Sequence, residues 1–166
     1  MAKLYIKAND LVEKDSFEVY NESGKPVYYT RDDFIATGHR IKIFLYDTIK
    51  EVAYVQEKSG RYSSRFEFCA RGDQFGTIYK DSRFNRNEYI IDYDDWVLIP
   101  TGDGEWNYKV VKGALRIMEV KQMPYLIPGR ALNITDTNII NVDGESGTLM
   151  ALAFVLAVFA ANKYDY

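Results

Sequence analysis

Leu149 to Ala161 is an unbroken run of thirteen apolar residues in a chain that otherwise alternates like β-strand. Leu, Met and Ala favour helix, and neither Gly nor Pro interrupts the run. Asp143 and Glu145 precede it and Lys163 follows it, as the helix dipole prefers, and Asp143 or Ser146 is the expected N-cap. A helix apolar on every side is buried in a core or in a membrane. Thirteen residues reach roughly 20 Å, short of the roughly 30 Å of a bilayer core. The helix is therefore expected to be a core helix rather than a membrane span, with Leu149, Leu152, Ala153, Leu156, Ala157 and Phe159 as its structural centre.

Strands must surround such a helix on all sides. A helix with its side chains is roughly 10–12 Å across, too wide for an eight-stranded barrel that its own side chains fill. More strands are required, nearer eleven or twelve.

The strands recur in pairs. Phe17–Tyr20 leads through Asn21-Glu22-Ser23-Gly24-Lys25 to Pro26–Tyr29. Ile41–Phe44 leads to Glu51–Val55, Phe66–Cys69 leads to Phe75–Ile78, and Tyr89 opens a further pair. The starts at 17, 41, 66 and 89 are spaced by some two dozen residues, a hairpin repeat too small to bury its own face. Leu4–Lys7 forms a short first strand. Trp96–Pro100, Trp106–Val111, Leu115–Val120, Tyr125–Ile127, Ala131–Ile134 and Ile139–Val142 continue the series. Meandering hairpins without intervening helices fit a closed antiparallel barrel, which leaves no exposed edge. The expected fold is mainly β, a closed barrel of about twelve strands around a buried hydrophobic C-terminal helix, with residues 1–166 as a single domain.

The segments Asp15–Tyr28, Phe34–Ile43, Glu51-Val52-Ala53, Ile78-Tyr79-Lys80 and Arg83-Phe84 are similar, in order and spacing, to the LURP-one-related family of the tubby C-terminal-like superfamily. The resemblance covers essentially the whole chain through motifs that are structural. It implies a twelve-stranded barrel around a central C-terminal helix, in agreement with the size argument. Tubby proteins bind phosphoinositides, and phospholipid scramblases are grouped with the same fold. A shared fold carries neither role over without a matching site.

The chemistry of the chain narrows the function. A net charge of −3 gives no overall bias toward nucleic acid, and no nucleic-acid partner is expected. Fourteen Tyr and nine Phe read as sheet packing. The single cysteine, Cys69, excludes an intramolecular disulfide and reads as a small core residue. Met1–Lys7 has no apolar signal region, so the expected compartment is the cytoplasm, with a peripheral place at the membrane if lipid is bound. Two sequon matches, at Asn21 and Asn133, then have no role. The single histidine, His39, precludes a multi-histidine metal cluster and reads as a turn residue in Gly38-His39-Arg40. Asp92 and Asp94 would share one face of a strand and read as a solvated strand end rather than a cation site. No catalytic motif, no metal site and no cofactor is expected.

Lys58, Arg61 and Arg65 fall between the second and third repeats, and Lys80, Arg83 and Arg86 fall between the third and fourth. If the repeats are spatially equivalent, these six cations emerge at one end of the barrel, where they would either meet an anionic headgroup or polyanion or stay solvated and pair with Asp73, Asp81 and Glu88. The expected function is a non-enzymatic binding or scaffold module for anionic phospholipid. The alternatives are a protein-interaction domain with an unknown protein partner and no small ligand, and an enzyme whose site the sequence does not disclose.

Overall fold

The computed structural model describes residues 2–7, 15–35, 38–58, 65–70, 74–81, 88–102, 106–123, 139–144 and 148–163. Among the described residues, twelve strands precede one helix. They are β1 (Ala2–Lys7), β2 (Ser16–Tyr20), β3 (Pro26–Ile35), β4 (Gly38–Leu45), β5 (Glu51–Lys58) and β6 (Arg65–Ala70), then β7 (Gln74–Asp81), β8 (Glu88–Asp92), β9 (Val97–Pro100), β10 (Tyr108–Lys112), β11 (Leu115–Met123) and β12 (Ile139–Gly144). The helix, α1, spans Thr148–Lys163. Every expected strand that falls on described residues is present. Those at Tyr125–Ile127 and Ala131–Ile134 lie outside the described residues.

All the strands form one antiparallel sheet in the order β8-β7-β6-β5-β4-β3-β2-β1-β12-β11-β10-β9. The chain runs as a meander from β2 to β8, and β12 then inserts beside β1. β8 and β9 are the two edges and share no ladder among the described residues. The described residues thus form a continuous twelve-stranded sheet covering a helix, and no hydrogen-bonded seam among them closes it.

Alternation decides which side chains turn inward. Leu4 and Ile6, Phe17 and Val19, Ile41 and Ile43, Ala53 and Val55, and Phe66 and Phe68 are successive i, i+2 pairs, and all belong to one core. Every side chain from Leu149 to Ala161 is at most 7% exposed, so the helix is enclosed as its composition requires. It packs against β5, β6 and β7 from one half of the sheet and against β1 and β12 from the other. Phe154 meets the Phe68 ring at 5.5 Å and the Trp96 ring at 5.4 Å, and Phe159 stacks on Trp106 at 5.5 Å. Gly76 makes room for this cluster, since a β-carbon there would stand 2.7 Å from Phe68 Cζ and 2.6 Å from Tyr93 Cβ.

The meander gives the sheet two distinct ends. The turns between β2 and β3, β4 and β5, β8 and β9, and β10 and β11 lie at the end where α1 begins, the entry end. Strand ends at Ile35, Lys58, Asp81 and Lys7 lie at the other, exit end, as does the last turn of α1. Two local readings are corrected. Asp143 belongs to β12, opposite Lys3 and Glu119, rather than to the start of the helix, and Ser146 lies outside the described residues. His39 is not in a turn: β3 runs on to Ile35, and His39 pairs with Phe34 inside the β3–β4 ladder.

Candidate functional site

The inward face stays apolar through the middle of the sheet and becomes polar at the exit end. In β4 the alternation that buries Ile43 and Ile41 continues to His39, and in β5 the alternation that buries Ala53 and Val55 continues to Glu57. Register sets Asp32 opposite Ile41, one step along the same face. Asp32 Oδ2 lies 3.0 Å from His39 Nδ1, with the two side chains 14% and 19% exposed. Glu57 is buried, and its Oε1 accepts the His39 backbone N–H at 3.0 Å. An acid and an imidazole in contact can hold or pass a proton, and the carboxylate of Glu57 fixes the strand that carries the ring.

A second inward group surrounds the end of the helix. Lys80 and Tyr89 are opposite one another in the β7–β8 ladder. Lys80 Nζ donates to Asn162 Oδ1 at 3.0 Å, and Asn162 Nδ2 donates to the Tyr89 hydroxyl. A cation there faces the negative end of the helix dipole. Lys80 is therefore committed to holding the helix terminus, which differs from its expected place in a ligand-facing row.

Of the other expected cations, Lys58 and Arg65 are direct partners across the β5–β6 ladder, and both are exposed. The Arg65 guanidinium lies 4.5 Å from the Tyr79 ring centroid. Arg61, Arg83 and Arg86 lie outside the described residues. The connections that contain them join the ends of β5 and β6 and of β7 and β8, which are at the same end of the sheet.

The acidic cluster takes a different form from the one expected. Asp92 ends β8, and Asp94 and Asp95 adopt left-handed backbone with φ of 46° and 57°, so Asp92 and Asp94 share no strand face. Asp94 instead pairs with Lys112 at 2.8 Å, which raises the lysine above its ordinary pKa. Among the described residues no three His, Cys, Asp or Glu side chains are placed to hold a metal ion.

Across the outer face of β4, β5 and β6, the Tyr54 hydroxyl donates to Glu67 Oε1 at 2.7 Å, and the Arg40 guanidinium lies 4.2 Å from the Tyr54 ring centroid. Burial, and after it the hydrogen bond to the Glu67 carboxylate, hold the Tyr54 proton well above the usual phenol range. Cys69, opposite Tyr54 in the ladder, is 3% exposed and packs as a small residue.

Sequence reasoning missed Asp32, Glu57, Tyr89 and Asn162. A signal for Glu57 is present, because the Ala53, Val55, Glu57 alternation carries an acid onto the core face. Asp32 carries no such signal until β3 is known to run ten residues, and Asn162 becomes visible only when the helix end meets β7 and β8.

A continuous antiparallel sheet around one buried terminal helix, with a polar interior at the helix exit, defines a mainly β protein consistent with the tubby C-like superfamily. The chain belongs to the LURP-one-related family, whose model matches residues 2–160. No curated protein and no solved structure matches it. Among the described residues no helix is long and apolar enough to cross a membrane.

Proposed function

We propose that the protein is a non-enzymatic binding module that meets anionic phospholipid headgroups with the exit end of its sheet. The observation that carries this reading is the exposed cross-strand pair Lys58–Arg65, at the end of the sheet from which both cation-bearing connections leave. The binding set is Lys58, Arg61, Arg65, Arg83 and Arg86. Arginine grips phosphate oxygens through paired N–H groups, and lysine adds a point charge. Each cation near an anionic leaflet contributes about 1 kcal/mol. On this reading the protein is cytoplasmic and peripheral at the membrane. The sheet is taken as a barrel closed between β8 and β9, across the turn whose Tyr93 and Trp96 pack together at 4.6 Å.

Co-sedimentation with neutral and anionic vesicles, at low and at physiological salt, tests the proposal. Binding should require anionic lipid and persist at physiological salt. Lys58→Glu with Arg65→Glu should weaken it by about thirtyfold or more, taking about 1 kcal/mol for each lost cation. Arg83→Glu with Arg86→Glu should act likewise. Equal binding of the wild-type protein and the charge-reversed variants would remove this end from consideration and favour a protein partner.

A further inference from the structure

The entry end has the opposite character. Leu45, Tyr46, Ile49, Phe75, Val97 and Leu115 are all large apolar side chains open to solvent there, and Ile49 is 97% exposed. The β4–β5 tip that carries three of them is held in place. Leu45 N–H donates to Lys50 O at 3.0 Å, Thr48 N–H donates to Leu45 O at 3.1 Å, and Tyr46 N–H reaches back to Val27 O at 3.0 Å. The Thr48 hydroxyl donates to Leu45 O at 2.7 Å and accepts Lys50 N–H at 3.1 Å. A tip fixed in this way presents its apolar groups without an ordering cost when something binds.

Beside the tip lies a cleft of about 700 Å³, within the roughly 300–1,000 Å³ typical of small-molecule sites. Leu45, Val52, Ala53 and Leu149 form its apolar wall, with the rings of Tyr28 and Tyr54 alongside. Leu149 belongs to the first turn of α1, so the positive end of the helix dipole adjoins the cleft. Three charged residues also line it: Arg40, Lys50 and Glu51. Arg40 is already engaged, donating to Gln56 Oε1 and to Glu51 Oε1 at 3.0 Å each. Arg40 and Glu51 thus neutralise one another. Lys50 has no side-chain hydrogen bond or ion pair among the described residues, which leaves one uncompensated cation at the cleft.

We propose that this cleft binds a small amphiphile with one apolar chain and an anionic head, the class that alkanoates represent. The chain lies along Leu45, Val52, Ala53 and Leu149, and the head meets Lys50. The apolar wall gains from a chain and not from a hydrated ion, and the single free cation selects an anionic head over a neutral one. The collar of Leu45, Tyr46 and Ile49 gives such a chain an apolar approach from solvent. This site is at the opposite end from the proposed headgroup surface and does not depend on it.

Calorimetric titration of the full chain with monomeric octanoate, decanoate, dodecanoate and dodecanol tests the proposal. Dodecanoate should bind saturably with one site, and affinity should rise about fourfold for each added methylene along the alkanoate series. Lys50→Glu should weaken dodecanoate by about tenfold or more and leave dodecanol unchanged. Leu45→Glu should weaken both. Both substitutions fall on exposed side chains, and an unchanged cooperative melt confirms that the fold is kept. Absence of saturable dodecanoate binding to the wild-type protein would overturn the proposal, as would binding indifferent to both substitutions. A concentration-dependent dimer that Leu45→Glu dissociates and dodecanoate fails to displace would overturn it too, by assigning the cleft to a second copy of the chain.

Discussion

The Glu57 carboxylate occupies the space that a β-carbon on Gly38 would need. Oε1 would stand 2.0 Å from that carbon, and Gly38 has a φ of +117° that L side chains rarely adopt. The same oxygen takes the N–H of His39, the next residue. One glycine thus lets a buried acid reach the backbone of the neighbouring strand and fixes the position of the Asp32–His39 pair.

Gly38→Ala should cost about 1–3 kcal/mol, because it combines a strained φ with displacement of a hydrogen-bonded carboxylate. Urea unfolding of the two proteins measures the difference. A change within a few tenths of a kcal/mol would mean that the strand ends adjust freely and that Glu57 is not held there.

Ala157→Asp should abolish folding. Ala157 is fully buried on the enclosed helix, and an unpaired carboxylate there loses several kcal/mol of hydration, a large part of a typical domain's stability. Expression with a thermal melt is the check. A soluble, cooperatively melting variant would refute the enclosed-helix arrangement.

Lys80→Met separates a structural role from a ligand-binding one. Loss of the bond to Asn162 should lower stability by about 1–2 kcal/mol. Partitioning onto anionic vesicles should stay unchanged, since Lys80 is tied to the helix terminus. Vesicle binding that falls as much as in Lys58→Glu would return Lys80 to the binding surface.

Tyr54 sets an alkaline limit on stability. Its proton is held above the usual phenol range when folded, so the folded state retains it where the unfolded state gives it up. This contribution is complete below roughly pH 10, the ordinary tyrosine value, and is lost as pH rises through that value toward the folded one. Urea midpoints from pH 9 to 11 should fall less steeply in Tyr54→Phe than in the wild-type protein. Parallel pH profiles would show that burial and Glu67 do not hold the proton.

The terminal helix and the hairpin repeat were both legible in the amino-acid sequence. Each rests on a local signal: an apolar run from Leu149 to Ala161, the alternation in pairs such as Ile41 and Ile43, and turn residues such as Asn21 and Gly24. Asn21 illustrates how local that code is, since its side-chain oxygen alone accepts the N–H groups of Ser23 and Lys25 and the hydroxyl of Ser23. The common end for the β5–β6 and β7–β8 connections was legible for a similar reason: a meander reverses direction at every turn.

Apart from Glu57, which the alternation of β5 carries inward, the polar interior was not legible, because the groups that meet there come from separate elements. Lys80 looks like any strand lysine until the last turn of the helix supplies Asn162. His39 looks like a turn residue until β3 proves long enough to carry Asp32 alongside it. Composition and period alone determined that this chain must wrap a sheet around its final helix. Only the tertiary structure decided which ionisable groups face inward at the helix exit and which apolar groups stay outside at its entry. Those choices depend on partners far apart in the chain, such as Lys80 and Asn162, which are 82 residues apart.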